Sequence, residues 1–490
     1  MPRISNKPIQ LLKGFKDILP EHQKYWDFFM GKALVLLQSY GYGRIDLPVI
    51  EQTNLYLKGT GKHTDIVSKE LYNFEDKGGE NVTVRPEFTP GICRAYIEHG
   101  MLNRPQPVKF YAYGPVFRHD NPQSGRFRQF NQLDLEVIGS ENPVVDAELI
   151  IIAYRLLESL GLSVEVRLNS IGCPECRPEY ITSLKQYLSS GGRKKSLCEN
   201  CRERYTKNPL RMLDCKNEQC QQVFKEAPQI VDFLCDQCKK NFMEVLEQLD
   251  DLGVLYQLDV RLVRGLDYYN GTAFEIYLKQ DDLTKSQSAL VGGGRYDGLI
   301  EILGGRPTPA SGFAIGIERL ISKMRELKIE PPIHKKPDIF VAQLGSEARK
   351  ECFRLFERLM SRGFKVAEAF SKDGLKNQLE RADSVGAKFS LILGQRELLD
   401  KTIIIRDMQS GIQEIINYDK VMDVVSKRLE TASSSVKVYI DKDNANKGSD
   451  KNEVEISGPS GKDEPIDKNK KPKYKLNPSS DDNERTINRL

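Results

Sequence analysis

The sequence predicts an α+β protein of several domains, and three observations carry that expectation. Tyr113 to Gly139 reads YGPVFRHDNPQSGRFRQFNQLDLEVIG, two strand-like ends around a turn, which is the pattern of a β-hairpin. Ile171 to Leu252 differs in composition and holds eight of the ten cysteines, which marks an insertion. Beyond Pro337, IFVAQLG, FKVAEAF, FSLILG and TIIIRD alternate with helical stretches, as in a small α/β domain. The length of 490 residues suits about three domains, and 39% hydrophobic content supplies their cores.

Charge and leader sequence narrow the function classes. A formal charge of +4 is small against 73 basic and 69 acidic residues, so the total does not argue for nucleic acid, although a local basic patch remains possible. The N-terminal MPRISNKPIQLL has too short an apolar run for a secretory signal, and no stretch approaches the roughly 18 continuous apolar residues of a membrane span. A cytoplasmic location without membrane contact is expected, and there cysteines serve metal or burial rather than disulfides.

Leu12 to Pro20 is a turn-rich lead-in to a helix over Glu21 to Tyr40, whose apolar face carries Trp26, Phe29, Ala33, Leu36, Leu37 and Tyr40. Gly41 and Gly43 end it, and RIDLPVIE follows as an edge strand around Pro48, suited to dimer contact. Val82 to Pro90 reads as a strand running into a polar turn, with Arg85, Glu87 and Thr89 on one side. In the hairpin, Leu133, Leu135 and Val137 face a core while Gln132, Asp134 and Glu136 form the opposite face. Arg118, Arg126 and Arg128 crowd its turn and ask for a phosphate; Gln132 and Glu136 lie deeper and suit an amine or a ring N–H. A helix over Val145 to Leu160 and a strand through Val164, Val166 and Leu168 follow.

Cys173 and Cys176, Cys198 and Cys201, Cys215 and Cys220, and Cys235 and Cys238 are four pairs with two to four residues between partners. Two such pairs complete a tetrahedral thiolate site, so the insertion suits one or two structural zinc ions, with the pairing left open and buried thiols as the alternative. The segment has no histidine, and four thiolates leave no open position, so a catalytic zinc is not expected. Val260 to Tyr277 reads as strand, turn and strand with Arg264 at the turn and Tyr268 and Tyr269 behind it. VGGGRYDGL offers three glycines for close backbone approach, then Arg295 and Tyr296; GFAIGIERL is a strand entering a helix that bears Arg319. These Arg-bearing, Gly-rich turns join the hairpin as a set able to grip a triphosphate. Lys328 to Pro337 is a Pro- and Lys-rich linker. In the α/β domain beyond it, Lys372, Lys376, Arg381, Arg396 and Lys401 face either phosphate backbone or solvent. From Thr431 the chain is polar, with Tyr439 and Tyr474 its two aromatics, and is expected to be disordered.

KGFKDILP, RPEFT, FRHDNPQSGRFRQFNQLDLEVIG, LVRGLDYYNGTAFE, GGGRYDGL and GFAIGIERL together resemble histidyl-tRNA synthetase, a class II aminoacyl-tRNA synthetase, over roughly residues 8 to 430. The resemblance implies an antiparallel-sheet catalytic domain flanked by helices, a homodimer around Pro48, and a C-terminal anticodon-binding domain. It places the catalytic domain over 1–170 and 253–327 and an anticodon-binding domain over 337–430, while composition marks the Cys-rich insertion at 171–252, the linker at 328–336 and the disordered polar tail at 431–490, to which the resemblance assigns no role. In the family reaction histidine attacks the α-phosphate of Mg2+-bound ATP, giving histidyl-adenylate and pyrophosphate, and the 3′ end of tRNA(His) then takes the histidyl group from the adenylate with release of AMP. By motif, Arg118 would hold the α-phosphate, Arg264 stabilise developing charge there, and Arg319 hold the γ-phosphate, with Asp120 and Arg126 also at ATP. Glu87, Thr89 and Gln132 would receive the histidine ammonium, Glu136 and Tyr269 the imidazole beside Tyr268, and Gln123 and Arg128 the tRNA acceptor end. Phe88, Asp120 and Asn121 depart from the family pattern, where a small or polar residue, Glu and Arg are expected. The rival within the same fold is the synthetase-like regulatory subunit of ATP phosphoribosyltransferase. Arg118, Arg264, Arg319 and the C-terminal domain favour the ligase.

Overall fold

The computed structural model describes residues 8–62, 64–120, 126–279, 289–332 and 336–430. These divide into two compact units, with the boundary between Pro331 and Pro332. In the first unit the strands are β1 (Gly43–Arg44), β2 (Ile50–Gln52), β3 (Tyr72–Glu75), β4 (Asn81–Val84), β5 (Val108–Phe117), β6 (Gln129–Ile138), β7 (Val164–Ser170), β8 (Tyr256–Leu258), β9 (Asn270–Leu278), β10 (Val291–Arg295) and β11 (Ala310–Gly316). One sheet runs β1-β5-β6-β11-β10-β9-β7-β8, antiparallel except at its edges, where β1 pairs β5 and β8 pairs β7 in parallel. A second, small sheet runs β2-β4-β3.

The expected hairpin is β5–β6, with Gly114 opposite Gln132 and Phe117 opposite Gln129, so the arginines at 118, 126 and 128 fall in its turn. Period-two alternation sends Leu133, Leu135 and Val137 into the main core, against helices Pro20–Ser39 and Val144–Ser159. Trp26, Phe29, Ala33 and Leu37 of the first helix are buried there, while Leu36 and Tyr40 are half-buried against it. The opposite face of β6 is not solvent: Gln132, Asp134 and Glu136 are 8%, 2% and 1% exposed.

Two stretches fold differently from expectation. RIDLPVIE is not one strand; only its ends pair, as β1 and the start of β2, because Pro48 between them offers no N–H to a ladder. The strand expected over Val82 to Pro90 stops at Val84, and Thr89 already opens helix Thr89–Glu98. Arg85 therefore parts from Glu87 and Thr89. Its guanidinium donates to the carbonyls of Pro115 at 2.9 Å and Leu47 at 2.7 Å and lies 4.4 Å from the Phe88 ring. Phe88 is thus a core residue beneath Arg85, which accounts for the large side chain at this position.

Within the insertion, helices Arg177–Ser189, Glu199–Lys207, Glu218–Phe224 and Asp236–Asp251 are joined by short turns. Phe242, Val245, Leu246 and Leu249 of the last helix are part of the main core, so the insertion is rooted in the body. The second unit is a five-stranded sheet of β12 (Ile339–Gln343), β13 (Val366–Glu368), β14 (Phe389–Leu393), β15 (Thr402–Asp407) and β16 (Gln413–Asn417), in the order β13-β12-β14-β15-β16. Its β13, β12 and β14 are parallel, and β15 and β16 antiparallel. The four expected strands are present; β16, with Gln413 and Glu414 exposed, has no apolar run to announce it. Residues 333–335 of the expected linker and the tail 431–490 lie outside the described residues.

Candidate active site

The first unit holds a cavity of about 1020 Å³. Its walls come from the polar face of β6, the turn of the β5–β6 hairpin, the loop before β9, the start of helix Ile317–Glu326 and the middle of the Cys-rich insertion, Cys198 to Phe224. Its lining carries a group of arginines, some paired with acids, and a group of buried carboxyls.

One group is Arg118, Arg126, Arg264 and Arg319, delivered by three separate stretches of sequence. Arg118 donates through Nε to the Pro86 carbonyl at 2.9 Å, and its guanidinium lies 5.4 Å from the Phe130 ring centre. Arg126 donates to the Asp120 carboxylate at 2.6 Å, so the shorter acid at this position holds an arginine of the same turn. Arg319 donates to the Ala289 carbonyl at 2.9 Å. Burial lowers its pKa from the ordinary value, and the like charges of Arg126 and Arg118 lower it further. Arg264 reaches over the Tyr269 ring and pairs with Glu275, whose other oxygen accepts from Tyr277. Burial opposes its charge, but the Glu275 carboxylate together with Tyr269 and Tyr268 outweighs that and holds the pKa above the usual range.

The other group is acidic. Glu87, 4% exposed, accepts from Thr60 Oγ1 at 2.7 Å and from the Tyr268 hydroxyl at 2.9 Å. Thr89 donates its single hydroxyl proton to Glu136 at 2.6 Å, which leaves the oxygen able to accept. Tyr296 donates to the other oxygen of Glu136. Gln132 Oε1 and Asp134 Oδ2 are buried and receive no hydrogen bond from the described protein. Burial raises all three carboxyl pKa values: Glu136 to about 8, where Thr89 and Tyr296 oppose the rise, Glu87 above its usual range, and Asp134 well above it. Tyr268, Tyr269 and Tyr296 stack between them, with ring centres 4.6 Å apart for the first two. Burial brings Tyr269 up to about 12.

Of the residues singled out from the sequence, Glu87, Thr89, Arg118, Asp120, Arg126, Gln132, Arg264, Tyr268, Tyr269 and Arg319 share this one cavity. Glu136 does not reach its wall and sits one layer behind, held by Thr89 and Tyr296. Arg128 also leaves it. The Arg128 side chain fills the space over Gly14, where a Cβ would come within 2.7 Å of it, and the Arg128 N–H donates to the Gly14 carbonyl at 2.7 Å. Gln123 lies outside the described residues. The glycine-rich stretch needs two corrections. VGGGR is strand β10, not a turn, and Arg295 points to Asp146 in a buried ion pair at 2.9 Å rather than to a phosphate. Gly292 and Gly312 also admit protein side chains: a Cβ would lie 2.3 Å from Arg264 and 1.6 Å from a Glu136 oxygen.

Sequence reasoning missed Thr60, Asp134, Glu275 and Tyr296. Asp134 shares the period-two face of Gln132 and Glu136, and Glu275 stands on β9, opposite Gly292 in the register, so both had a legible signal. Thr60 had none.

A family model described as histidyl-tRNA synthetase matches residues 14–320, and one described as anticodon binding domain matches 338–428. The histidine–tRNA ligase of Halothermothrix orenii is 43% identical over 416 residues, which is 85% of this chain and 98% of that protein. That of Dehalococcoides mccartyi is 44% identical over 418 residues, 85% of this chain and 99% of that protein. The crystal structure of apo S. aureus histidyl-tRNA synthetase superposes with a TM-score of 0.71 at 35% identity, covering 85% of this chain and all of that one. A Bacillus halodurans structure titled as an ATP phosphoribosyltransferase regulatory subunit/histidyl-tRNA synthetase shares the fold, with a TM-score of 0.57 at 20% identity over 79% of this chain. The class II synthetase sheet, its arginine-rich cavity and these matches agree: the chain belongs to the histidyl-tRNA synthetase family.

Proposed function

We infer that the protein is an ATP-dependent histidine–tRNA ligase, which activates histidine to histidyl-adenylate and transfers it to the 3′ end of tRNA(His). The observation that carries this reading is that one cavity brings together arginines close enough to repel one another and buried acceptors, Gln132 Oε1 and Asp134 Oδ2, that receive no hydrogen bond from the described protein. Such a site suits a substrate pair that is polyanionic at one end and an amino acid cation at the other.

ATP enters with Mg2+, its α-phosphate at Arg118 and its γ-phosphate at Arg319, with Asp120 and Arg126 completing the nucleotide site. In-line attack spreads negative charge over the phosphoryl oxygens, so catalysis rests on positioning and fixed positive charge, and Arg264 supplies that charge at the α-phosphate. The histidine ammonium sits at Glu87, Thr89 and Gln132, with Asp134 beside them. Tyr268 holds Glu87, Tyr269 meets the imidazole, and Glu136 places a carboxyl behind it through Thr89. A pocket of hydrogen-bonding groups rejects side chains that lack the ring nitrogens. Gln123 and Arg128 would contact the acceptor end of the tRNA. The second unit reads the anticodon stem through its basic face, and structural zinc held by the cysteines keeps the insertion folded. A homodimer forms around the Pro48 segment, where Val35, Val49 and Ile50 expose apolar side chains. No helix among the described residues is long and apolar enough to cross a membrane, and the enzyme acts in the cytoplasm.

ATP–pyrophosphate exchange with each amino acid in turn tests the reading. Exchange that requires histidine is expected. Exchange with another amino acid, or with none, overturns it in favour of another synthetase or the regulatory-subunit reading.

A further inference from the structure

Cys173, Cys176, Cys235 and Cys238 form one cluster and Cys198, Cys201, Cys215 and Cys220 a second, and within each all four sulfurs lie within 4.8 Å of one another. The pairing is nested. The first cluster joins the two ends of the insertion, and the second closes a loop inside it. Measured Sγ···Sγ separations are 3.5, 4.0 and 4.0 Å in the first and 3.7 Å in the second. Thiolates about 2.3 Å from one tetrahedral zinc ion lie about 3.8 Å apart, so both clusters have the size of a metal site. Backbone N–H groups point at the sulfurs as they do toward thiolates: Cys173 N donates to Cys176 Sγ and Cys198 N to Cys220 Sγ, both at 3.2 Å. Cys176, Cys198 and Cys235 each precede a helix, Arg177–Ser189, Glu199–Lys207 and Asp236–Asp251, whose N-terminal dipole favours a thiolate.

The clusters differ in what they hold. The first sits where the insertion meets the body, packed with Val231 and Leu234. The second belongs to the substrate cavity: Cys198 and Cys215 are on its wall, as are Arg204, Arg211 and Lys216 from the same loop. That loop is fastened to the rest of the site at two points. Arg204 and Arg211 pair with Asp65 at 3.2 and 2.8 Å, and Asn208 donates to Asp267 at 2.6 Å, next to Tyr268. The loop buries Cys201, Met212 and Leu213 beside Cys220, with Tyr205 and Leu210 packed against them, so the cysteines are part of its small core.

We propose that the insertion binds two zinc ions with separate tasks. The first, on Cys173, Cys176, Cys235 and Cys238, closes the root of the insertion; the second, on Cys198, Cys201, Cys215 and Cys220, holds the 198–217 loop as a wall of the substrate cavity. Occupancy of the second site then sets how well ATP and histidine bind, because without the ion the Asp65 and Asp267 anchors lose the scaffold that presents them with partners. The metal sites stand whether or not the ligase reading holds, whereas the coupling to substrate rests on it.

The test uses full-length protein purified without chelator. Elemental analysis is expected to find two zinc ions per chain, and one in a Cys198→Ser/Cys215→Ser variant. Cobalt reconstitution should give the intense visible bands of tetrahedral tetrathiolate cobalt in both proteins, at half intensity in the variant. Hydrogen exchange in the variant should rise over 198–217 and stay unchanged over 236–251, and KM for ATP in histidine-dependent exchange should rise roughly tenfold. No zinc, one zinc in the wild type, iron in its place, or two zinc ions retained in the variant overturns the two-site proposal. Loss of one ion with unchanged exchange over 198–217 and unchanged KM overturns the coupling. A wild type that holds two zinc ions but shows no histidine-dependent exchange overturns the ligase reading instead.

Discussion

Arg264 is paired with Glu275 and is also proposed to stabilise the reacting phosphate, and a second substitution separates the two roles. Its guanidinium pairs with Glu275, whose side chain is 18% exposed, while facing the cavity where the α-phosphate is proposed to sit. Arg264→Ala therefore removes a fixed cation from the reaction and leaves a half-buried carboxylate without its main partner. Loss of one preorganised charge at a reacting centre costs about 3–4 kcal/mol, or roughly 100- to 1000-fold in rate. Orphaning Glu275 costs about 1–3 kcal/mol of stability, since the Tyr277 hydroxyl still donates to it. Glu275→Gln added to Arg264→Ala removes the stranded charge. The double variant should recover most of the lost melting temperature and none of the lost rate. Thermal melts and histidine-dependent ATP–pyrophosphate exchange on wild type, both single variants and the double variant make the comparison. If Arg264→Ala exchanges at near-normal rate, or if the double variant regains activity with stability, Arg264 is only the counter-ion of Glu275 and leaves the catalytic set.

Two further outcomes follow from buried charge. Glu136 is pushed up to about 8 from the usual 4.5, so its folded form keeps a proton that the unfolded chain has lost. The stability linked to it is full below about pH 4.5 and is lost as pH rises through 8, amounting to about 5 kcal/mol when complete. Glu136→Gln should flatten the fall in melting temperature between pH 5 and 9, and parallel curves for variant and wild type would refute the assignment. Arg295→Met breaks a pair with Asp146 in which the side chains are 9% and 3% exposed, at a cost of about 3–5 kcal/mol. It should lower the melting temperature by several degrees with KM for ATP and histidine unchanged; a raised KM in a stably folded variant would return Arg295 to the substrate site.

What the sequence disclosed depended on period and on local chemistry. The β5–β6 hairpin, the first helix and the alternation of β12 to β15 were legible because each repeats one pattern over several residues. The arginines were legible because four in Gly-rich contexts are unusual. Failures came where one residue overrode the pattern: Pro48 split a strand, and Phe88 turned Arg85 away from Glu87 and Thr89. The glycines of VGGGR and Gly312 misled for another reason. A missing Cβ shows that something comes close, but not whether it is a ligand or, as here, Arg264 and Glu136. Partners far apart in sequence, such as Thr60 with Glu87 and Asp146 with Arg295, leave no local trace.

The two groups in the cavity explain each other. Burial raises the pKa of all three carboxyls, Glu87, Asp134 and Glu136, and the crowded guanidiniums lean on Asp120, Glu275 and main-chain carbonyls. Neither arrangement is the best that its groups can make, since Gln132 Oε1 and Asp134 Oδ2 still lack donors and Arg319 is still repelled by Arg118 and Arg126. On the proposed function, an ammonium would supply donors to the first set, and a triphosphate would supply counter-charge to the second. Binding would then relieve both groups at once. A ligand carrying only one of these charges would relieve only one group, so the same electrostatics that hold the substrates would also favour their being present together.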